Sequence, residues 1–126
     1  MIRLAVICFT EKGMVLCHNI RSLLNKESYS VELFAKYESF NKAENPDAIF
    51  VEEGLSQWAY DRQQEKTALV FIGAMGIAVR AIAKGIENKL TDAPVVAIDE
   101  LGINVIPVVG KCRGHACILR GNGGLT

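Results

Sequence analysis

The sequence predicts an α/β fold: a mainly parallel sheet with helices on both faces, plus a C-terminal hairpin strand. Three observations lead there. Residues 3–9 and 68–72 hold long apolar runs, the pattern of strands covered on both faces. Segments with apolar residues at helical spacing follow each run. Strand and helix signals then alternate through residue 98, so successive strands are joined by crossovers and pair in parallel.

The first run, from Arg3 to Phe9, reads as a buried strand that Thr10-Glu11-Lys12-Gly13 closes with turn and helix-start residues. Leu16, Ile20, Leu23 and Leu24 then mark one amphipathic helix. Residues 30–34 alternate polar and apolar side chains and form a second strand, whereas residues 36–47 are polar, contain Pro46 and form a connection. Phe50, Val51, Leu55, Trp58 and Ala59 predict the buried stripe of a second helix ending near Gln64, with Trp58 in the core. The run Ala68-Leu69-Val70-Phe71-Ile72 is the next strand, and Gly73-Ala74-Met75-Gly76 ends it. Met75, Ala78, Val79, Ile82, Ala83 and Ile86 then share one helical face. Residues 90–94 form a loop; residues 95–98 and 104–109 form a hairpin around Asp99-Glu100-Leu101-Gly102. The layering is of the Rossmann-like or flavodoxin-like kind. Residues 1–109 make one α/β domain, and residues 110–126, basic and glycine-rich, are expected to be a poorly structured tail.

A chain of 126 residues accommodates one domain with a core of its own. Lys plus Arg equal Asp plus Glu at 14 each, so no overall field directs it to nucleic acid or an anionic membrane. Its apolar runs fall short of the roughly 20 residues that a membrane span needs. Met1-Ile2-Arg3-Leu4 begins like a strand rather than a secretory signal, which predicts a cytoplasmic protein. Four cysteines, Cys8, Cys17, Cys112 and Cys117, are expected to be reduced thiols. Cys112, His115 and Cys117 cluster, but their spacing matches no standard zinc pattern, so no metal site is expected.

The turn at residues 73–76 has chemical meaning. A helix opening directly after a buried strand presents free backbone N–H groups, and its positive pole attracts anions. Arg80 lies four residues after Gly76 on the same helical face, so it can reach over the bare glycine and clamp an anion. On spacing alone, close helix–sheet packing explains the same glycines. Thr91-Asp92 and Asp99-Glu100 lie in loops that this topology can bring to one sheet edge, where carboxylates also serve as caps or face water. His18 and His115 are the two histidines, and neither has a nucleophile in a recognisable context.

At Phe71-Ile72-Gly73-Ala74-Met75-Gly76-Ile77-Ala78-Val79-Arg80-Ala81-Ile82-Ala83, then Lys89-Leu90-Thr91-Asp92, Val95-Val96, Asp99-Glu100-Leu101-Gly102 and Val105-Ile106-Pro107, the chain closely resembles the N-terminal domain of the cobalt-precorrin-5A hydrolases of anaerobic cobalamin biosynthesis. The resemblance is strong over residues 67–109; residues 1–66 fit in layout. It implies an enzyme that opens the ring A δ-lactone of a cobalt corrinoid with water and releases acetaldehyde. No resident cofactor is implied, because the substrate carries the cobalt. The acetate and propionate arms of such a substrate suit Gly73, Ala74, Met75, Gly76, Arg80 and Thr91 as binding residues, with Asp92, Asp99 and Glu100 as catalytic candidates. The implied partners are the corrinoid and a further C-terminal hydrolase domain. Two other readings stay open: a non-catalytic corrinoid-binding or docking module, and a flavodoxin-like phosphate or nucleotide binder.

After Pro107 the pattern departs. The family continues with a serine-glycine-histidine segment and a pair of glycines, whereas this chain reads Gly110-Lys111-Cys112-Arg113-Gly114-His115-Ala116-Cys117. A one-nucleotide shift in the codons for Val108 to Gly114 restores much of the family pattern. A frameshifted or truncated reading frame is therefore expected after about residue 109, and His115 does not inherit the family's histidine.

Overall fold

The computed structural model describes residues 2–24, 28–87 and 94–109. In chain order the elements are β1 (Ile2–Cys8), α1 (Glu11–Leu24), β2 (Tyr29–Ala35), β3 (Ala48–Phe50), α2 (Leu55–Gln64), β4 (Ala68–Ile72), α3 (Met75–Glu87), β5 (Val95–Ile98) and β6 (Val105–Val109). They build a six-stranded sheet in the order β3-β2-β1-β4-β5-β6. Pairings from β3 to β5 are parallel, and β6 runs antiparallel to β5. The α/β class, the parallel sheet and the closing hairpin agree with the sequence.

Both faces of the sheet are covered, which is why its central strands are apolar throughout. Leu4, Val6 and Cys8 of β1, with Val70 and Ile72 of β4, pack with Met14, Cys17 and Ile20 of α1. The intervening Ala5, Ile7, Leu69 and Phe71 pack with Trp58 and Ala59 of α2 and with Ala78, Ala81 and Ile82 of α3. Trp58 is 1% exposed. Its ring meets Phe34 and Phe71 edge-on at centroid distances of 5.1 and 6.0 Å. Arg62 lies over the Phe34 and Trp58 rings, so its stem and guanidinium seal this layer.

Three sequence expectations need correction. Phe50 and Val51 do not open the second helix. Residues 48–50 instead pair with Leu33, Phe34 and Ala35 as a short edge strand, and Val51 N–H donates to Ala35 O at 2.8 Å. The open edge of β2 offered backbone partners there, and Gly54 lets α2 start only at Leu55. On α1, Leu23 faces solvent while Met14 and Cys17 take core positions. On α3, Met75 and Val79 are 46% and 44% exposed, and Ala83 is also exposed. Alanines 78 and 81 face the sheet because their small side chains let the helix sit close, and the apolar stripe is rotated accordingly.

Helix α2 ends in paired reverse bonds: Lys66 N–H donates to Gln63 O and Thr67 N–H to Arg62 O. This is a Schellman ending, and Lys66 occupies its left-handed position at φ 59°. Among the described residues no helix is long and apolar enough to cross a membrane.

Candidate functional site

The chain runs outward from β1 to β2 and β3, then returns to place β4 on the other side of β1. In open α/β sheets such a reversal leaves a crevice outside the carboxyl ends of the two strands concerned, here β1 and β4, and ligands bind there. Three loops meet there. Gly73 N–H donates to Ile98 O at 2.8 Å, joining the end of β4 to the end of β5. A side chain at Gly73 would meet the Phe9 ring at 3.6 Å, and its φ of 150° is one that side chains rarely adopt. Across the same rim, the Thr10 hydroxyl donates to Glu100 Oε2.

Thr10 caps α1. Its Oγ1 accepts from Gly13 N–H at 3.0 Å, and its carbonyl accepts from Met14 N–H at 3.1 Å. Gly13 presses against the sheet, since a Cβ there would stand 3.0 Å from Cys8 Cβ and 3.3 Å from Ile72 Cγ2. Glu100 thus brings a negative charge to the positive end of α1 through the capping hydroxyl.

The opening of α3 is different. Gly73 is half-buried, while Ala74, Met75 and Gly76 are exposed. A Cβ at Gly76 would meet nothing within 4 Å. Arg80 is exposed one turn later, without an ion pair among the described residues. Among the described residues, nothing crowds Gly76 in the first turn, whose N–H groups are the ones a helix leaves without partners, and Arg80 makes no ion pair one turn later.

Asp99 organises its own hairpin. Its Oδ1 accepts from Leu101 N–H at 2.9 Å and Ile103 N–H at 3.2 Å, and its Oδ2 from Asn104 N–H at 2.8 Å. Burial pushes its carboxyl upward, but the donors from Asn104, Ile103 and Leu101 outweigh this and hold it below the ordinary value. Gly102, at φ 73°, completes the turn.

The sheet edge beyond β4 and β5 thus carries Gly73, Ala74, Met75 and Gly76 at the opening of α3 and Asp99 and Glu100 in the β5–β6 turn, with Arg80 one turn along α3. Thr91 and Asp92 lie outside the described residues, as do Cys112, His115 and Cys117. No group of three or more potential ligands is placed to hold a metal among the described residues. Sequence reasoning missed Phe9 and Thr10 as rim residues. The helix-start signal at Thr10 was legible, but its partner stands 90 positions away. Cys8 and Cys17 are buried thiols rather than rim residues; the hydrogen bond with Cys8, then burial, pushes Cys17 well above its ordinary value.

The model of the cobalamin synthesis G N-terminal family matches residues 58–119. That span includes the turn at 73–76, Arg80, Thr91 and the three loop carboxylates Asp92, Asp99 and Glu100, and it continues ten residues beyond 109, where the sequence pattern departs. The chain is also 33% identical over 113 residues to a cobalt-precorrin-5A hydrolase of Salmonella typhimurium, an alignment covering 90% of this chain and 29% of that protein. The chain thus spans less than a third of this curated relative. No solved structure matches it at a significant level.

Proposed function

We propose that this chain, matched over residues 58–119 by the cobalamin synthesis G N-terminal family and 33% identical to a cobalt-precorrin-5A hydrolase over 113 residues, serves cobalamin biosynthesis as part of such a hydrolase. Residues 1–109 are its N-terminal α/β domain. The reaction is the opening of the ring A δ-lactone of a cobalt corrinoid by water, with release of acetaldehyde. Cobalt arrives within the substrate. The work is done in the cytoplasm, together with the remaining hydrolase segments that the longer relative carries.

The observation that carries this reading is the open first turn of α3 at the crevice, with Gly76 bare and Arg80 without an ion pair among the described residues. A carboxylate arm of the corrinoid accepts from the N–H groups of residues 74–76 while the Arg80 guanidinium closes on its outer oxygen. Thr91, outside the described residues, is the remaining binding candidate on sequence grounds. Glu100 stands on the other side of the crevice as an acceptor, positioned by Thr10. Of the catalytic candidates Asp92, Asp99 and Glu100, Glu100 is the better placed described carboxylate, because the Asp99 oxygens are occupied by hairpin N–H groups.

Arg80→Ala in the hydrolase assembled with the family's C-terminal segments should weaken cobalt-precorrin-5A binding about tenfold, the loss of one charge-assisted contact. Unchanged affinity would remove the arginine from the site. Acetaldehyde release from cobalt-precorrin-5A by the assembled enzyme tests the activity itself, and the same assay on this chain alone separates a catalytic domain from a corrinoid-binding one.

A further inference from the structure

Half of the large apolar side chains exposed among the described residues lie along one edge of the molecule. Met75 and Val79 of α3, Leu101 and Ile103 of the β5–β6 turn, and Ile106 of β6 are 43% to 68% exposed, whereas the other five are spread over β1, α1 and β3. Three observations join them. On α3, Ala78, Ala81 and Ile82 face the sheet, which leaves Met75 and Val79 on the flank beside Ile82 and Ile77 on the opposite one. A right-handed β4–α3–β5 crossover turns the first flank toward β6 and the second toward α2, and α3 touches both elements. Ile106 stands opposite Ala97, whose side chain packs in the layer of α3, so it rises on that same face. The turn begins where α3 opens, since Gly73 N–H donates to Ile98 O, and the Asp99 carboxylate fixes it through the N–H groups of Leu101, Ile103 and Asn104. Leu101 and Ile103 are therefore displayed on a braced loop.

This edge does not invite another strand. Pro94 O and Ile98 O accept from Leu69 and Gly73 on the β4 side, so the alternate residues of β5 turn to β6, and Asp99 N–H donates to Asn104 O. Ile106, paired with Ala97, thus bonds inward, while Val105 and Pro107 direct their backbone outward. Pro107 has no N–H to offer there. An occupant is consequently held by side chains. Single exposed apolar residues are ordinary, but a continuous group of them marks an interface.

We propose that this edge is where the C-terminal part of the hydrolase seats an apolar face on the domain, through a helix or loop rather than an added strand. The inference rests on the hydrolase reading above. The Salmonella relative supplies the occupant: the alignment takes 90% of this chain but 29% of that protein, so its larger part lies outside the domain and needs a surface on it. Contacts between domains of one chain are of this moderately apolar kind. Continuity with the crevice favours the same occupant. Gly73 and Glu100 belong both to the crevice rim and to the segments that carry Met75 and Leu101, so a module seated here stands at the mouth that it helps to close.

The test compares amide exchange in this chain alone and in the hydrolase assembled with the family's C-terminal segments, without corrinoid. Residues 75–79 and 101–106 should exchange at least about tenfold more slowly in the assembly, while α1 and β3 exchange alike in both. Val79→Lys combined with Ile103→Lys should return the two segments to the rates of the chain alone, because each places a charge in a desolvated contact. Both side chains are exposed, so the melting temperature of the chain alone should stay unchanged. Val15→Lys, at a similarly exposed position of α1, should leave the protection intact. Equal exchange in chain and assembly, or protection that survives the double variant, overturns the proposal. So does protection already present in the chain alone and growing with its concentration, which makes a second copy the occupant. Acetaldehyde release by the assembly is read separately. Release without protection removes this surface and leaves the hydrolase reading standing, whereas protection without release keeps the surface and removes that reading.

Discussion

Asp99 gathers three backbone N–H groups with one carboxylate. Its folded value lies below the ordinary 3.8, so the native state binds fewer protons at this site than the unfolded chain does. The resulting stabilisation is present above the unfolded value and is lost as pH falls through the lower folded one. Asp99→Ala should therefore destabilise the protein at neutral pH by about 1 kcal/mol, the modest figure of a partly solvated group. Urea unfolding at descending pH should show the gap between the two proteins closing below 3.8. Thr10→Val should cost about 1 kcal/mol through the lost helix cap, and Thr10→Ser should recover most of it in thermal melts. The residue scale was the least legible in the sequence. Gly73, Gly76 and Arg80 stood out through spacing, but nothing in the order of residues tied Thr10 to Glu100. That contact exists only once β5 has been laid two strands from β1.

Elements were legible wherever burial on both faces set the pattern, as in β1 and β4. They were less so where a three-residue strand competed with a helix. Residues 48–51 carry apolar side chains that suit either, and the free edge of β2 decided the outcome through backbone bonding. The helical period of α3 was readable, yet not its rotation, because alanine at 78 and 81 is as compatible with a close interface as valine is with a thick one. Ile82→Ala should accordingly cost about 2–4 kcal/mol, while Val79→Gln should stay within about 0.5 kcal/mol of the parent; chemical denaturation of both variants checks the rotation. At the end of α2, a side chain at φ 59° is unfavourable where glycine would be at ease. Lys66→Gly should raise stability by about 1 kcal/mol, and an unchanged melting temperature would show that the ending is held by other contacts.

At the scale of the molecule, the strand order creates the crevice by sending the chain to one side of β1 and then to the other. Alternating signals predicted a parallel sheet but not this order, since the sequence does not say on which side of β1 the fourth strand inserts. Ligand contact at the crevice should be visible as a pattern rather than as a single residue. On adding a corrinoid carrying free carboxylates, amide exchange should slow in residues 73–77 and 99–104 together, while residues 37–45 exchange as before. Protection of neither segment would place the ligand elsewhere.

Strand β6 points against all five of its companions. Val109 is consequently delivered to the rear of the sheet, a strand's length of about 17 Å from the crevice. Polypeptide continuing from that end of the strand needs a return leg of at least about five extended residues before it can reach a ligand in the crevice. A partner arriving through space has no such detour, so the arrangement favours completion of the pocket by a module that folds back around the β6 edge or docks from outside.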